Sequence, residues 1–221
     1  MITYRVQTDS PVAFITIDDG YFTDPDADAF MAAQTAAGTP VPVTQFLTYY
    51  AASSGQFPPP TSGDGLAHVE ALRLYQTGTP DQKRVGCHQK EHLDYRGQSE
   101  ADQQAAMAAA ADWLGGADMF NWRPRLFRPP YGQYDDATLE ASAVAGMPQL
   151  VLWTHAFEQP SLELVAEYGT IVPQAGSIFC LHHPSQPDQN GYLLTQLQAA
   201  LAAIEQANLY PAYLHDFLGA P

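Results

Sequence analysis

The chain has 221 residues, a length that suits a single domain over residues 1–221, since one core of that size buries most of its own surface. Hydrophobic residues make up 46% and charged residues 15%, a composition that excludes intrinsic disorder. The formal net charge of −15 predicts no nucleic-acid partner, and no apolar run approaches the roughly 20 residues of a membrane span.

Seven short apolar runs predict β-strands, because they are rich in β-branched and aromatic residues and are bounded by turn residues. They span residues 12–17, 41–48, 84–88, 126–128, 149–153, 177–181 and 210–214. Helical patterns lie between most of them, which predicts parallel pairing, since parallel neighbours need a crossover connection. The pattern is typical of an α/β fold, either a barrel or an open doubly wound sheet.

Three amphipathic patterns predict helices that pack on this sheet. The first ends at Gly38, which readily adopts the left-handed conformation of a helix end. The second begins at Ser99, whose hydroxyl can cap the amides of the first turn. The predicted buried faces consist of Phe30, Ala33 and Ala37, of Met107, Ala110 and Leu114, and of Leu194, Leu197, Leu201 and Ile204.

Polar residues follow the first and third predicted strands, where the reactive groups of a parallel α/β fold gather. Asp18 and Asp19 are adjacent carboxylates that repel each other unless a cation lies nearby, although Asp-Gly pairs are also common in solvated turns. His88 and His92 are four residues apart, and on a helical turn they would share one metal ion. The alternative for this pair is two partly exposed side chains.

Two further polar segments follow the fourth and sixth predicted strands. Arg128 begins an Arg-Pro-Pro-Tyr-Gly corner, whose prolines would hold it in place to anchor a buried carboxylate or to form a salt bridge at a loop. His182 and His183 follow the sixth strand, where either imidazole is a candidate acid-base group or simply polar surface.

In their order and spacing, these segments resemble the NodB-homology polysaccharide deacetylases, carbohydrate esterase family 4. The matching pieces are Thr-Ile-Asp-Asp-Gly at 16–20, the pair His88 and His92, Arg-Pro-Pro-Tyr-Gly at 128–132 and Leu-His at 181–182. The resemblance implies a distorted (β/α)7/8 barrel. It also implies one divalent metal ion, most commonly Zn²⁺, with Co²⁺ and Ni²⁺ as alternatives.

The same resemblance implies a role for each candidate site residue. The implied metal ligands are Asp19, His88 and His92. Asp18 would be the catalytic base, oriented by Arg128, and His182 would be the catalytic acid. The implied substrate contacts are Tyr131, through its backbone N–H, Trp153 and Cys180.

The sequence departs from the family pattern mainly in the fourth motif. Ala156 stands where the family has its first aspartate, and Gln159 with Pro160 replace an Asp-Trp pair. The carboxylate expected behind the catalytic histidine is therefore missing, as is the tryptophan that would line the acetyl pocket. Cys180 replaces a leucine, and Gln89 replaces the Ser or Thr that usually follows the first metal-binding histidine.

These observations give a leading function and two alternatives. The leading hypothesis is a metal-dependent hydrolase that deacetylates N-acetylated glycans, such as chitin oligomers or peptidoglycan, and releases acetate. One alternative is a catalytically impaired relative that binds metal and glycan, and the other is a deacetylase or amidase acting on acetylxylan or a non-carbohydrate amide. The resemblance implies a secreted or cell-envelope protein; no leader precedes Pro11, and a cytoplasmic location stays open.

The two cysteines are too few for a disulfide scaffold. Cys87 is expected to point to the side of its strand opposite to His88, whereas Cys180 shares the side of His182. Opposed directions predict two buried free thiols rather than a disulfide.

Overall fold

A computed structural model describes residues 1–20, 22–48, 85–116, 123–159, 161–185 and 188–218. The strands of these residues are β1 (Ile2–Thr3), β2 (Val12–Asp19), β3 (Val43–Leu47), β4 (Val85–Cys87), β5 (Leu126–Phe127), β6 (Gln149–Val151), β7 (His155–Phe157), β8 (Leu164–Ala166), β9 (Ile178–His182) and β10 (Tyr210–Ala212). The helices among the described residues are α1 (Pro25–Ala36), α2 (Glu100–Gly115), α3 (Asp136–Val144), α4 (Tyr192–Gln206) and α5 (His215–Leu218), and a 3₁₀ turn spans Pro130–Gly132.

The strands form one curled sheet in the order β1-β6-β5-β4-β3-β2-β9-β7-β8, and β10 also pairs with β2. Every pair is parallel except β7 with β8. This is a distorted (β/α) barrel, as the family resemblance implies, and not an open doubly wound sheet. The sheet curls around a buried apolar cluster that includes Phe14, Phe46, Leu126, Val151 and Ile178.

The helices cover the outer face of the sheet over two further apolar clusters. Ile15, Ile17 and Phe179 belong to the cluster that also contains buried residues of α1 and α4. Residues of β4 and β6 belong to a second cluster, which contains buried residues of α2 and α3. Inner and outer side chains alternate along β2, so Thr16 and Asp18 face the barrel interior whereas Ile15 and Ile17 face the helices.

All seven predicted strands are present, with ends that shift by up to two residues, and residue 84 of the third lies outside the described residues. Three short strands, β1, β7 and β8, were not predicted. Each has only two or three residues, too few to show the alternation of apolar and polar positions on which the prediction depends.

The predicted helices also form, but of the face predicted for α1 only Phe30 packs against the core, where it is partly buried. The structure buries Ala27 and Met31, while Ala33 and Ala37 are exposed. An alanine-rich helix has little contrast between its faces, so periodicity identifies the packed face poorly. In α2, Ser99 caps the helix, and the predicted Met107, Ala110 and Leu114 are buried. In α4, Leu197 and Ile204 are fully buried, and the other two predicted leucines are partly buried.

Asp24 joins the N-termini of two helices that are distant in sequence. Its side chain is fully buried, and Oδ1 accepts from the amides of Asp26 in α1 (3.1 Å) and Gly191 before α4 (2.9 Å). Oδ2 accepts from the amides of Leu193 (2.8 Å) and Leu194 (3.1 Å). One carboxylate therefore satisfies amides that each helix would otherwise leave unpaired, and it fixes the loop after β2 relative to the loop after β9.

The described residues contain no helix that is both long and apolar enough to cross a membrane.

Cys87 and Cys180 are both buried free thiols, which confirms the prediction made from the strand directions.

Candidate active site

The candidate residues meet at one edge of the sheet because their strands run in the same direction. Asp18 and Asp19 end β2, and His182 ends β9, where it pairs in register with Asp18. His88 directly follows β4, and Arg128 directly follows β5. All five therefore lie at the carboxyl ends of parallel strands, where active sites of (β/α) barrels are built.

Arg128 is fully buried and holds the Asp18 carboxylate. Its Nη1 donates to Asp18 Oδ1 at 2.7 Å and to Thr16 Oγ1 at 2.7 Å. Nε and Nη2 donate to the carbonyl oxygens of Val151 and Leu152, each at 3.1 Å. Hydrogen bonds on three of its nitrogens fix the orientation of the guanidinium, so Asp18 meets a cation that cannot move away.

The guanidinium of Arg128 also lies over an aromatic ring. The Cζ atom of Arg128 lies 4.2 Å from the centre of the Phe46 ring, within the range of a cation–π contact. Gly86 on the neighbouring strand makes room for this ring, since a Cβ atom there would collide with it. Burial by itself raises the pKa of Asp18, but the charges of Arg128 and of nearby imidazoles outweigh burial and lower it below its usual value.

Asp19, His88 and His92 bring three ligand atoms together. Asp19 Oδ1 lies 3.6 Å from His88 Nε2 and 3.3 Å from His92 Nε2, and the ligand atoms of the three residues all lie within 4.8 Å of one another. A carboxylate with two imidazoles is a recurrent zinc ligand set that leaves coordination positions for water and substrate.

The protonation of His88 fits a cation between these groups. His88 Nδ1 lies 2.8 Å from the carbonyl oxygen of Arg128, which can only accept, so Nδ1 carries the proton and Nε2 presents a lone pair. That lone pair faces Asp19 Oδ1 at 3.6 Å and Asp18 Oδ2 at 3.9 Å, both of which are acceptors when ionised. Such an arrangement of acceptors is stabilised by a cation at its centre.

The pKa shifts in this group have the same cause. Burial lowers the pKa of His88 to about 3, although the negative charge of Asp18 opposes the shift. Burial and the neighbouring Asp18 charge raise the pKa of Asp19 well above its usual value, and Asp19 Oδ1 is buried without a hydrogen-bond partner. A divalent ion would reverse the shift of Asp19, since it favours the carboxylate, and would reinforce that of His88, since it binds the neutral imidazole, so the donor set fits a metal.

The segment that carries the two histidines is not the helical turn that their spacing predicted. Residues 88–92 form an irregular loop, in which Gln89 has a φ of 70° and its side chain is buried. The left-handed backbone at Gln89 turns the chain, so the imidazoles approach each other with ring centres 5.0 Å apart. The spacing therefore predicted correctly that the two histidines lie together, but the helical turn it indicated is wrong.

The substrate contacts implied by the resemblance lie in three different environments. Tyr131 is 61% exposed, has a φ of 58° and stands edge-on to the His92 ring at 4.6 Å. Trp153 is partly buried, lies 5.4 Å from the Arg128 guanidinium and keeps a buried indole N–H without a partner. Cys180 is fully buried, and its thiol donates to Asp18 Oδ2 at 3.4 Å.

His182 lies beside Asp18, and its backbone is held by α4. Its backbone is paired with Gln196 of α4, whose side chain accepts from His182 N at 3.2 Å and donates to its carbonyl at 3.1 Å. No carboxylate of the described residues hydrogen-bonds its ring. Burial lowers the pKa of His182, Asp18 opposes this shift, and Arg128 adds to it. Glu158, the nearest acidic residue to the altered motif in sequence, is exposed in the turn between β7 and β8.

The neighbouring His183 is directed away from this group. Its side chain is buried, and Nε2 lies 3.2 Å from Gln45 Oε1. Adjacent residues of a strand point to opposite faces, so only one of the two histidines can face Asp18, and that residue is His182.

Tyr192 is a site neighbour that the sequence did not indicate. It is the first residue of α4, is partly buried, and its phenol is hydrogen-bonded by the side chain of Gln159. Burial raises the pKa of Tyr192, and the negative charge of Asp19 raises it further. Gln159 occupies a position of the altered fourth motif. This departure from the family pattern was the signal in the sequence that the contacts around the site differ at this point.

The sequence of the chain matches a known family and a bacterial relative. The family profile described as polysaccharide deacetylase matches residues 5–150. An uncharacterized protein from Streptomyces coelicolor is 35% identical over 216 residues, which cover 97% of this chain and 76% of that protein.

Solved structures share the fold at lower identity. The chitin deacetylase from the fungal pathogen Colletotrichum lindemuthianum has a TM-score of 0.68 and 16% identity, covering 100% of this chain and 92% of its own. A CE4 family pseudoenzyme from Bacillus anthracis has a TM-score of 0.69 and 14% identity, covering 99% of this chain and 69% of its own. Likeness at these identities concerns the fold alone.

Proposed function

Because this chain belongs to the polysaccharide deacetylase family, we propose that it is a metal-dependent hydrolase that removes acetyl groups from N-acetylated glycans. One observation carries the proposal. Of two adjacent carboxylates, Asp18 is held by the buried Arg128 while Asp19 faces the two imidazoles of His88 and His92. This arrangement gives a base and a metal-binding group side by side, as amide hydrolysis by activated water requires.

Asp19, His88 and His92 are the residues that would hold a divalent ion, most commonly Zn²⁺. When bound, the ion supplies Lewis acidity for water and for the acetamide carbonyl. His88 is ready for this role because its Nδ1–H is held by the Arg128 carbonyl, which directs Nε2 toward Asp19.

Asp18 is the proposed base. Arg128 holds its carboxylate ionised, so Oδ2 can take a proton from the attacking water as the water oxygen bonds to the acetyl carbon. A pure binding protein would gain nothing from a buried carboxylate with its own arginine, since burying such a pair is costly.

His182 is the proposed acid on the other side of the scissile bond. It would donate a proton to the amide nitrogen as the C–N bond breaks, so that acetate and a free amino sugar are released. The backbone N–H of Tyr131 would donate to the oxygen that gains negative charge. The exposed Tyr131 ring and the partly buried Trp153 would contact the sugar or the acetyl group.

A second candidate function is a catalytically impaired relative that binds metal and glycan. The observation that favours it is the His182 ring, which no carboxylate of the described residues hydrogen-bonds, together with the missing Asp-Trp pair at Gln159 and Pro160. A structural neighbour of this chain is itself described as a pseudoenzyme. The ion pair between Asp18 and Arg128 favours the enzyme, because a catalytic base is needed only for turnover.

The test is acetate release from purified protein that has been loaded with Zn²⁺. Chito-oligomers, peptidoglycan fragments, acetylated xylan and a small acetamide serve as parallel substrates, and Asp18→Asn is the control for contaminating activity. Release from an N-acetylated glycan by the parent but not by the control supports the proposal. Release from xylan or the small amide alone would reassign the substrate, and metal and glycan binding without release would support the impaired relative.

A further inference from the structure

A second group of metal-binding side chains lies beside the first. Cys180, Asp18 and His182 each offer one ligand atom, and these atoms all lie within 4.8 Å of one another. Cys180 Sγ is 3.4 Å from Asp18 Oδ2, the oxygen that Arg128 does not hold. None of these residues belongs to the group of Asp19, His88 and His92.

We propose that Cys180, Asp18 and His182 form a second, inhibitory subsite for a soft divalent cation such as Cd²⁺ or excess Zn²⁺. Thiolate, imidazole and carboxylate together are the donor set that selects such ions over Mg²⁺ or Ca²⁺. The inhibitory part rests on the proposed function, because the ion would occupy the proposed base and the proposed acid at once. Binding itself does not depend on that function.

An ion would reach this group from the side of His182. Asp18 and Cys180 are buried, whereas His182 is partly exposed, so an ion would enter past the imidazole. Arg128 occupies only Oδ1 of Asp18, which leaves Oδ2 as a ligand. The ion replaces the thiol proton, so one proton is released to solvent for each ion bound.

The second subsite fills after the first. The first group binds through a carboxylate and two neutral imidazoles, whereas the second must lose a thiol proton and accept a cation close to another one. Asp18 Oδ2 is only 3.9 Å from His88 Nε2, so the two ions would be neighbours. The stoichiometry should therefore rise from one ion to two as the cation concentration increases.

The binding test uses the intact protein with one equivalent of Zn²⁺ bound, titrated with Cd²⁺ and followed by the ultraviolet charge-transfer band of Cd²⁺–thiolate. The expected result is a band that saturates at one further equivalent in the parent. Cys180→Ser keeps a hydroxyl that can donate to Asp18 and should lose the band. Cys87→Ala is the matched control, since Cys87 is the other buried thiol and lies outside the group, so its band should persist.

Two results would overturn the subsite. One is a parent protein that shows no band, and the other is a band that survives Cys180→Ser and disappears in Cys87→Ala. Mg²⁺ at the same concentration controls for ionic strength and should give no band in any of the three proteins.

The activity test separates this proposal from the function on which it rests. Excess Zn²⁺ should inhibit acetate release by the parent and by Cys87→Ala. Inhibition of Cys180→Ser should require a Zn²⁺ concentration at least about tenfold higher, since even outer contacts of a metal site contribute 10- to 100-fold in affinity. A thiolate band without acetate release at any metal concentration would retain the subsite and reject the enzyme. Acetate release with equal zinc sensitivity in all three proteins would retain the enzyme and reject inhibition through Cys180.

Discussion

The two sides of the candidate site differ in how their charges are balanced. The base side comprises Asp18, Asp19, His88, His92 and Arg128. The acid side comprises His182, Cys180, Gln159 and Tyr192. On the base side a fully buried arginine contacts one carboxylate and two imidazoles face the other. On the acid side, burial and Arg128 lower the pKa of His182 and Asp18 opposes them, and no carboxylate of the described residues hydrogen-bonds the ring.

This difference shows how one sheet edge can keep part of a catalytic arrangement while another part changes. The stability of the base side depends on paired buried charges. Removing one charge of a pair leaves the other buried and uncompensated, which lowers the free energy of unfolding. The acid side contains neutral polar groups around one histidine, so its residues can be exchanged at small cost to stability. Four predictions test this contrast.

The largest effect is expected for Asp18→Asn. The amide keeps the shape of the side chain but cannot accept the proton from water, so acetate release should fall by about 10²- to 10⁴-fold. Asp19, His88 and His92 are unchanged, so zinc content should stay at the parent value. Asp19→Ala is the matched variant and should lose the metal itself. An Asp18→Asn protein with full activity would refute the assignment of the base.

Arg128→Met should be the most destabilising change. It leaves the Asp18 carboxylate buried without its cation, which costs about 3–5 kcal/mol in free energy of unfolding. Denaturant unfolding followed by circular dichroism would measure the loss. The double variant Arg128→Met with Asp18→Asn removes the uncompensated charge, so it should be more stable than Arg128→Met alone. A double variant that is less stable would show that the ion pair is not the main contribution.

The pH dependence should reveal the weaker support of His182. An acid must be protonated to act, so activity falls as pH rises through its pKa, and burial lowers that pKa below the usual value of about 6.5. The alkaline limb of kcat/KM on a chito-oligomer should therefore lie at or below about pH 6.5. Glu158→Gln is the control and should leave the limb in place, since Glu158 is exposed. A limb above about pH 8 in both proteins would mean that another group supports the imidazole.

The smallest effect is expected for Tyr192→Phe. The variant keeps the ring and loses the hydroxyl that Gln159 contacts, a hydrogen bond worth about 0.5–1.5 kcal/mol, so kcat/KM should fall by about two- to tenfold. Tyr210→Phe is the matched control, because Tyr210 is exposed on β10, and its kinetics should not change. Equal kinetics in all three proteins would place Tyr192 outside the substrate pocket.

The sequence predicted the base side better than the acid side for a physical reason. Asp18, Asp19, His88 and Arg128 each come directly at the end of an apolar strand, so the strand pattern alone brings them to one edge. Their catalytic and metal-binding roles remain predictions. The seven main strands were likewise predictable from apolar runs, which left a barrel and an open sheet as alternatives, and the barrel was implied by the family resemblance.

The remaining features depend on tertiary contacts that leave no local signal. Tyr192 reaches the site only because a loop and α4 return to the sheet after β9. The capping of two helices by Asp24 joins residues more than 160 positions apart in sequence. The turn at Gln89 depends on a positive φ that no residue-spacing rule indicates.

The position of β2 in the sheet also determines when the site can form during synthesis. This strand carries Asp18 and Asp19, yet two of its three partners, β9 and β10, lie in the last quarter of the chain. A ribosome that has released only the first 150 residues therefore exposes β2 with one edge unpaired, and such an edge favours association with other chains. Pairings across this sequence separation close slowly, so assembly of the catalytic edge should be a late event in folding.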